Sequence, residues 1–218
     1  MTLSKPLQLG VLLYPAFELL DVFGPLEMFA SLGAERVRIH TIAATPGPVP
    51  SALGMDGPSG PSVVADLAFD DVPALDVLLV PGGVGTIAAL GDERLLAFLA
   101  SSAADTGIVA SVCSGSALLA KAGVLDGHRA TSNKQFFSLA TAQSDKVRWV
   151  EAARWVDDGR VVTSSGVSAG MDMALALIAR LFDVSTAEAV AVGTEYTWHR
   201  DAEVDPFVAY LNHAGASR

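Results

Sequence analysis

The sequence predicts an α/β protein with a doubly wound, mostly parallel sheet and helices on both faces. Short, continuous apolar runs alternate along the chain with segments of helical spacing. Alanine, valine and leucine dominate a chain that is 51% hydrophobic and 7% aromatic, which favours strands buried on both faces. No composition break divides the 218 residues. We therefore expect a single domain over residues 1–218, with 206–218 as a C-terminal tail.

The first half of the chain supplies three predicted strands and two helices. Pro15 ends the first strand, and a helix follows over Leu19–Leu32, although Pro25 inside it suggests a start close to that proline. The segment 45–61 is rich in proline, glycine and serine, which indicates a loop or a loose hairpin. A second helix is expected over Asp92–Ala104. The predicted strands are Leu7–Tyr14, Val37–Ala43 and Asp76–Val80.

The second half continues the same alternation. The apolar run Gly107–Val112 predicts a fourth parallel strand, and a helix follows it to about Ala122, where Gly123 ends it. Ser185 or Thr186 is the expected cap of the last helix. The remaining predicted strands are Arg129–Ser132, Val147–Val150 and Val161–Ser164, and the remaining predicted helices are Lys134–Ala142, Ala169–Phe182 and Ser185–Tyr196.

Charge and cysteine content exclude several classes of protein. The net charge is −10, from 14 basic and 24 acidic residues, and no basic cluster is present, so a nucleic-acid partner is not expected. The first apolar segment is too short to cross a membrane and has no signal-type cleavage site, so neither a membrane partner nor export is expected. A single cysteine cannot form an internal disulfide, which fits a cytoplasmic location.

Cys113 stands where a predicted strand turns into a helix. The small residues Ser114, Gly115 and Ser116 follow it, as small residues flank the nucleophile on the elbow of serine hydrolases, where the backbone is crowded. The N-terminus of the helix favours a thiolate, so we expect a lowered thiol pKa and a Ser114 N–H that stabilises an anion. The alternative is a structural cysteine, since cysteine also packs as a small hydrophobe.

Glycines and a carboxylate follow two other strands. Gly82 and Gly83 allow a ligand to approach the backbone closely and offer N–H groups to it. The alternative is that they simply form a tight turn. Their spacing does not fit a dinucleotide-binding fingerprint. Asp21 either caps the first helix or, if the first strand lies beside that of Cys113, reaches the same pocket as an acid and base. Glu18 competes for that role. The four scattered histidines have no metal spacing, so no metal or cofactor is predicted.

Four segments in this order resemble the ThiJ/PfpI superfamily over nearly the whole chain. They are Pro81-Gly82-Gly83, the elbow Ser111–Ser116, Ala122–Gly127 and Ser165–Asp172. The resemblance implies a flavodoxin-like fold of the class I glutamine amidotransferase type. Within the superfamily, Leu20–Pro25 looks most like the isocyanide hydratase branch, in which an aspartate matching Asp21 works with the elbow cysteine.

The resemblance implies hydration of an isocyanide to an N-formyl amine. Cys113 would be the nucleophile and Asp21 the general acid and base, while the Gly83 and Ser114 N–H groups would help to organise the pocket. Many relatives carry a histidine where this chain has Asn133. Asparagine cannot take a proton from the thiol, which disfavours a Cys–His protease or amidase and leaves the Cys–Asp scheme intact.

Two other functions remain open at this point. One is glyoxalase-like hydration of 2-oxoaldehydes, and the other is a cysteine-based sensor of oxidants or electrophiles without turnover. The expected partners are a small electrophilic substrate and a second copy of the chain, with Tyr196, Trp198 and apolar residues of the first helix at the dimer interface. The chain ends soon after the domain, so we expect no C-terminal DNA-binding helices of the kind found in regulator-type relatives.

Overall fold

The computed structural model describes residues 5–211. Its strands are β1 (Leu7–Leu12), β2 (Val37–Ala43), β3 (Gly47–Pro50), β4 (Ser62–Ala65), β5 (Leu67–Ala68), β6 (Val77–Val80), β7 (Ile108–Ser111), β8 (Arg129–Ala130), β9 (Arg148–Trp149), β10 (Trp155–Asp158) and β11 (Val161–Ser164). Its helices are α1 (Leu19–Ala30), α2 (Thr86–Ala89), α3 (Glu93–Asp105), α4 (Gly115–Lys121), α5 (Phe137–Thr141), α6 (Ala169–Leu181) and α7 (Val184–Gly193).

The central sheet confirms the predicted fold class. Its seven strands lie in the order β10-β11-β7-β6-β1-β2-β5, and β10 alone among them runs antiparallel to its neighbour. The strands β2-β1-β6-β7-β11 have the flavodoxin-like order, in which the chain turns back between β1 and β6. Ligands of open α/β sheets bind outside the carboxyl ends of the strands at such a reversal. The fold therefore predicts a site where β1, β6 and β7 end.

Helices cover this sheet from two sides. The connection from β1 to β2 and the connection from β6 to β7 run in opposite directions along the sheet. Because parallel crossovers are right-handed, α1 and α3 lie on opposite faces. The helix α6 packs against both α1 and α7, and α4 packs against α3. All four residues of β6 and of β7 are buried, as strands covered on both faces must be.

Two predicted helix starts were wrong. α1 begins at Leu19 and contains Pro25, which cannot donate a hydrogen bond to the Asp21 carbonyl four residues earlier. Pro25 is buried against α6 at Gly170, so tertiary packing outweighs the local cost of the proline. The last helix begins at Val184, because the Asp183 carboxylate accepts the Thr186 N–H at 2.7 Å and caps it.

Other segments were predicted only in outline. The loose hairpin expected within 45–61 is the antiparallel pair β3–β4, whose second strand lies beyond that range. The predicted helix over Lys134–Ala142 forms only at α5. Of the predicted tail, a single 3₁₀ turn at Val208–Tyr210 is described, and 212–218 lies outside the described residues.

The predicted homodimer stays a prediction, which sedimentation velocity would test. Tyr196 and Trp198, expected at the interface, contact residues of their own chain. The Tyr196 hydroxyl donates to Asp172, and Arg200 lies over the Trp198 ring. Leu20 and Phe23 of α1 are exposed. Among residues 5–211, no helix combines the length and the apolar character that a membrane span requires.

Candidate active site

Cys113 lies on a strained turn between β7 and α4. Its φ is +57°, which is uncommon for a residue with a side chain and typical of functional turns. The hydroxyls of Ser116 and Ser132 each donate to the Cys113 carbonyl at 3.2 Å and hold this conformation. A Cβ at Gly115 would collide with the carbonyl oxygens that end β6, so the glycine two positions after Cys113 is required by the close approach of the backbone. The predicted elbow is therefore confirmed.

Asp21 lies beside this turn and does not cap α1. It is the third residue of the helix, it is fully buried, and its Oδ2 accepts the Gly82 N–H at 2.8 Å. Its Oδ1 makes no ordinary hydrogen bond within the described residues. The thiol of Cys113 is nevertheless close enough to influence the titration of this carboxyl. The reversal of strand order thus joins residues 92 positions apart in one buried pair.

The electrostatics of Asp21 favour a protonated acid. Burial raises the pKa of its carboxyl to about 8, and the charge of Glu18 contributes to the increase. The hydrogen bonds from Gly82 and with the Cys113 side chain lower the pKa without offsetting the burial. At neutral pH this carboxyl therefore carries a proton that it can donate.

Gly82 and Gly83 were expected to bind substrate or an oxyanion, but their N–H groups donate to other residues of the protein. The Gly82 N–H is held by Asp21, and the Gly83 N–H donates to the Ser114 hydroxyl at 3.1 Å. Both groups are therefore engaged within the protein. A Cβ at Gly82 would lie 2.5 Å from the Ser114 nitrogen, so this glycine permits the contact between the two turns. The Ser114 N–H points to the thiol of Cys113.

Asn133 contacts the sulfur directly. Its Nδ2 lies 3.1 Å from the Cys113 Sγ. The other end of its amide is fixed, because Oδ1 accepts the backbone N–H groups of Gln135 at 2.9 Å and Phe136 at 3.1 Å. These two donors identify Oδ1 as the acceptor and leave Nδ2 to face the sulfur as a donor. Gly166 makes room for this amide, since a Cβ there would overlap Nδ2.

The expectation of a lowered thiol pKa was wrong for this state of the site. Burial raises the pKa of Cys113, and the nearby charge of Asp21 raises it further. Hydrogen bonds from the backbone N–H groups of Ser114 and Val167 and from Asn133 lower it, but they do not compensate for the loss of water. A short apolar sequence around a cysteine cannot reveal this result, because the burial comes from segments distant in the chain.

Val167 belongs to the site and was missed by the sequence analysis. Its φ is +44°, a rare conformation for a β-branched residue, and this turn directs its N–H to the thiol. The neighbouring Ser165 carbonyl accepts the Cys113 N–H at 3.1 Å. The signal available in the sequence was the run of small residues over 164–170, which directly precedes an apolar helix. Asn133 was noted in the sequence, but its contact with Cys113 was not predicted.

An ion-pair cluster lies behind this side of the site. Arg154 forms ion pairs with both Asp172 and Asp205. Its Nη2 lies 2.6 Å from Asp172 Oδ2, and its Nη1 lies 3.8 Å from Asp205 Oδ1. Lys134 Nζ lies 3.9 Å from Asp205 and donates to the Ala153 carbonyl at 2.7 Å. Within residues 5–211, no group of three histidine, cysteine, aspartate or glutamate side chains is arranged to hold a metal ion.

The fold and the site define a class of proteins, namely flavodoxin-like α/β proteins with a cysteine on a strand-to-helix elbow. The DJ-1/PfpI family model matches residues 8–180, and the chain belongs to this family. It is 37% identical to an isonitrile hydratase of Pseudomonas putida over 195 residues, which span 87% of this chain and 78% of that protein.

Two further relatives match a similar share of this chain. The transcriptional regulator GbdR of Pseudomonas aeruginosa is 32% identical over 180 residues, which span 81% of this chain and 47% of the regulator. A ThiJ/PfpI family protein from Pseudomonas syringae has a crystal structure similar to this one. Its TM-score is 0.74 at 34% identity, and the match covers 88% of this chain and 76% of that protein.

Proposed function

We propose that the protein is a cysteine-dependent hydratase that adds water to an isocyanide and releases an N-formyl amine. The observation that carries the proposal is the buried pair of Cys113 and Asp21, in which a thiol meets a carboxyl that is protonated at neutral pH. The 37% identity to an isonitrile hydratase supports the same reaction. The substrate is a small electrophile, and no step requires a cofactor.

The first step forms the bond between sulfur and carbon. The carboxyl of Asp21 donates its proton to the terminal isocyanide carbon while the Cys113 sulfur attacks that carbon. The thiol proton passes to the Asp21 carboxylate, which regains its protonated form. The product is a thioimidate, R–N=CH–S–Cys113. Because neither partner needs a stable charge beforehand, raised pKa values for both groups are compatible with this step.

The second step consumes water. Asp21 donates its proton to the thioimidate nitrogen and takes a proton from the attacking water, whose oxygen bonds to the carbon. The C–S bond then breaks as the hydroxyl of the tetrahedral intermediate becomes the formyl carbonyl. Asp21 gives its proton to the sulfur and takes the hydroxyl proton, so the thiol and the protonated carboxyl are both restored and the N-formyl amine is released. The N–H groups of Ser114 and Val167 and the amide of Asn133 stabilise the negative charge on sulfur as it leaves.

Product analysis tests the reaction. Purified protein is incubated at pH 7 with cyclohexyl isocyanide, para-substituted phenyl isocyanides and methylglyoxal, and the products are followed by NMR. We expect formamides from the isocyanides. Lactate from methylglyoxal, with the isocyanides left unconsumed, would instead favour the glyoxalase-like function and overturn the proposal.

The burial of Cys113 argues against a sensor. Sensor cysteines are accessible and have low thiol pKa values, whereas Cys113 is 6% exposed and its pKa is raised. A sensor function would nevertheless gain support if no compound of the panel were consumed and peroxide oxidised Cys113 reversibly.

We expect Asn133→Ala to raise the apparent pKa of the Cys113 thiol by about one to two pH units, because a hydrogen bond to a charged group contributes roughly 1.5–3 kcal/mol. Alkylation of Cys113 by iodoacetamide, measured against pH, reports this change. Asn133→Asp should slow the reaction further, since a carboxylate repels the thiolate. Gln135→Ala is the control, because Gln135 donates to the Asn133 amide through its backbone N–H, which the substitution keeps. Unchanged alkylation profiles in both Asn133 variants would remove Asn133 from the mechanism.

A further inference from the structure

A cleft of about 240 Å³ lies between residues that hydrogen-bond the Cys113 thiol and the C-terminal segment. Asn133 and Val167, which both donate hydrogen bonds to the thiol, line its inner end. Phe207 and Tyr210 line its outer end. A substrate whose reacting carbon lies at the sulfur would therefore direct its side group along this cleft toward the two aromatic rings.

The outer end of the cleft presents aromatic surface that the protein core leaves uncovered. Phe207 is 50% exposed and Tyr210 is 54% exposed. Their ring centroids are 6.5 Å apart, and the ring planes are tilted by 39°. Gly166 also lines the cleft and adds no side chain to its wall. Two such rings beside a glycine fit a flat apolar group, since aromatic rings prefer tilted or offset contacts at this separation.

The aromatic segment is held in place by a buried carboxylate. Asp205 is 2% exposed, lies between Lys134 and Arg154, and accepts the Phe207 N–H at 2.9 Å. The Asp205 N–H donates to the Ala152 carbonyl at 2.8 Å. Swinging the segment away from the cleft would separate this carboxylate from both cations, which is costly in a buried site. The backbone that carries Phe207 is therefore fixed relative to the rest of the site.

We propose that Phe207 and Tyr210 form the subsite for the substrate's side group and that they select isocyanides with a single aromatic ring. This inference rests on the proposed function, because it assigns the class of side group to that reaction. The volume of the cleft lies below the roughly 300–1,000 Å³ of pockets for drug-sized ligands, so it suits one ring better than a fused polycycle.

Turnover of aryl and alkyl substrates by variants tests the subsite. Phe207→Ala and Tyr210→Ala are compared with wild type using phenyl isocyanide and methyl isocyanide. We expect kcat/KM for phenyl isocyanide to fall about tenfold or more in each variant, mainly through KM, and kcat/KM for methyl isocyanide to stay within about twofold. Val204→Ala is the control, since Val204 is an exposed apolar residue of the same region that does not line the cleft. An equal loss for both substrates, or no loss, would overturn the inference.

A second measurement separates the subsite from the proposed reaction. The rate at which Cys113 reacts with N-phenylmaleimide, relative to N-methylmaleimide, requires no turnover. We expect a preference for the phenyl reagent in wild type and its loss in Phe207→Ala. If isocyanides are not hydrated and this preference is present, the proposed function fails and the subsite stands. If isocyanides are hydrated and no preference is found, the subsite fails and the proposed function stands.

Discussion

Cys113→Ala is expected to abolish isocyanide turnover, with kcat/KM reduced by at least about 10⁴-fold, as for loss of other covalent nucleophiles. Alanine keeps the Cβ and therefore the same backbone strain at φ +57°. The folded structure should thus survive, and its thermal unfolding can be compared with that of wild type. Formamide production followed by NMR gives the rate.

Cys113→Ser is the matched variant for this experiment. It keeps the size and the hydrogen-bonding geometry of the side chain but replaces a good nucleophile with an unactivated hydroxyl, because within residues 5–211 no histidine hydrogen-bonds to Cys113 and could take the proton. We expect it to be as inactive as the alanine variant. Substantial turnover by either variant would show that Cys113 does not form the covalent bond.

Asp21→Asn is expected to reduce kcat/KM by roughly 10²- to 10⁴-fold, the usual contribution of a general acid and base. Asparagine still accepts the Gly82 N–H but can neither donate a carboxyl proton nor take one back. In wild type we expect turnover to be level below pH 8 and to fall above it, as Asp21 loses its proton near its pKa of about 8. Rates measured between pH 5 and pH 10 test both expectations.

The stability of the same variant shows whether loss of activity reflects unfolding. The pKa of Asp21 is raised in the folded protein from 3.8 to about 8, so the folded state binds the extra proton between these values. The contribution of Asp21 to the free energy of unfolding is therefore present in full below about pH 4 and is lost as the pH rises toward 8. Asp21→Asn removes this loss, so we expect the variant to melt at a higher temperature than wild type at pH 8.

Glu18→Gln distinguishes the two candidate carboxylates. The charge of Glu18 raises the pKa of Asp21, so removing it should shift the fall in turnover to lower pH without abolishing activity. An inactive Glu18→Gln variant together with an active Asp21→Asn variant would assign the acid–base role to Glu18 and contradict our mechanism.

Local sequence was sufficient for the elbow and for the order of most elements. Gly115 is required by the close approach of the backbone that ends β6, and the run of small residues after Cys113 is the local sequence signal of that crowding. The meeting of Asp21 with Cys113 could be anticipated only conditionally, because it depends on which strands are neighbours. Strand order is a property of the whole sheet and has no local signature in either segment.

Other features depended on tertiary structure that the sequence does not display. The thiol pKa is decided by burial, and the Asn133 amide reaches Cys113 across 20 positions of sequence. The helix around Pro25 persists because α6 packs against it. Phe207 gave no signal, since an aromatic residue in an irregular tail has no periodicity to place it.

The most direct test is a side-by-side assay of wild type, Cys113→Ala and Asp21→Asn with cyclohexyl isocyanide at pH 7, followed by NMR. The account predicts N-cyclohexylformamide from wild type, none from Cys113→Ala and at most a small percentage of the wild-type rate from Asp21→Asn. Formamide production at the wild-type rate by either variant would contradict the account, as would wild-type protein that leaves the isocyanide unconsumed.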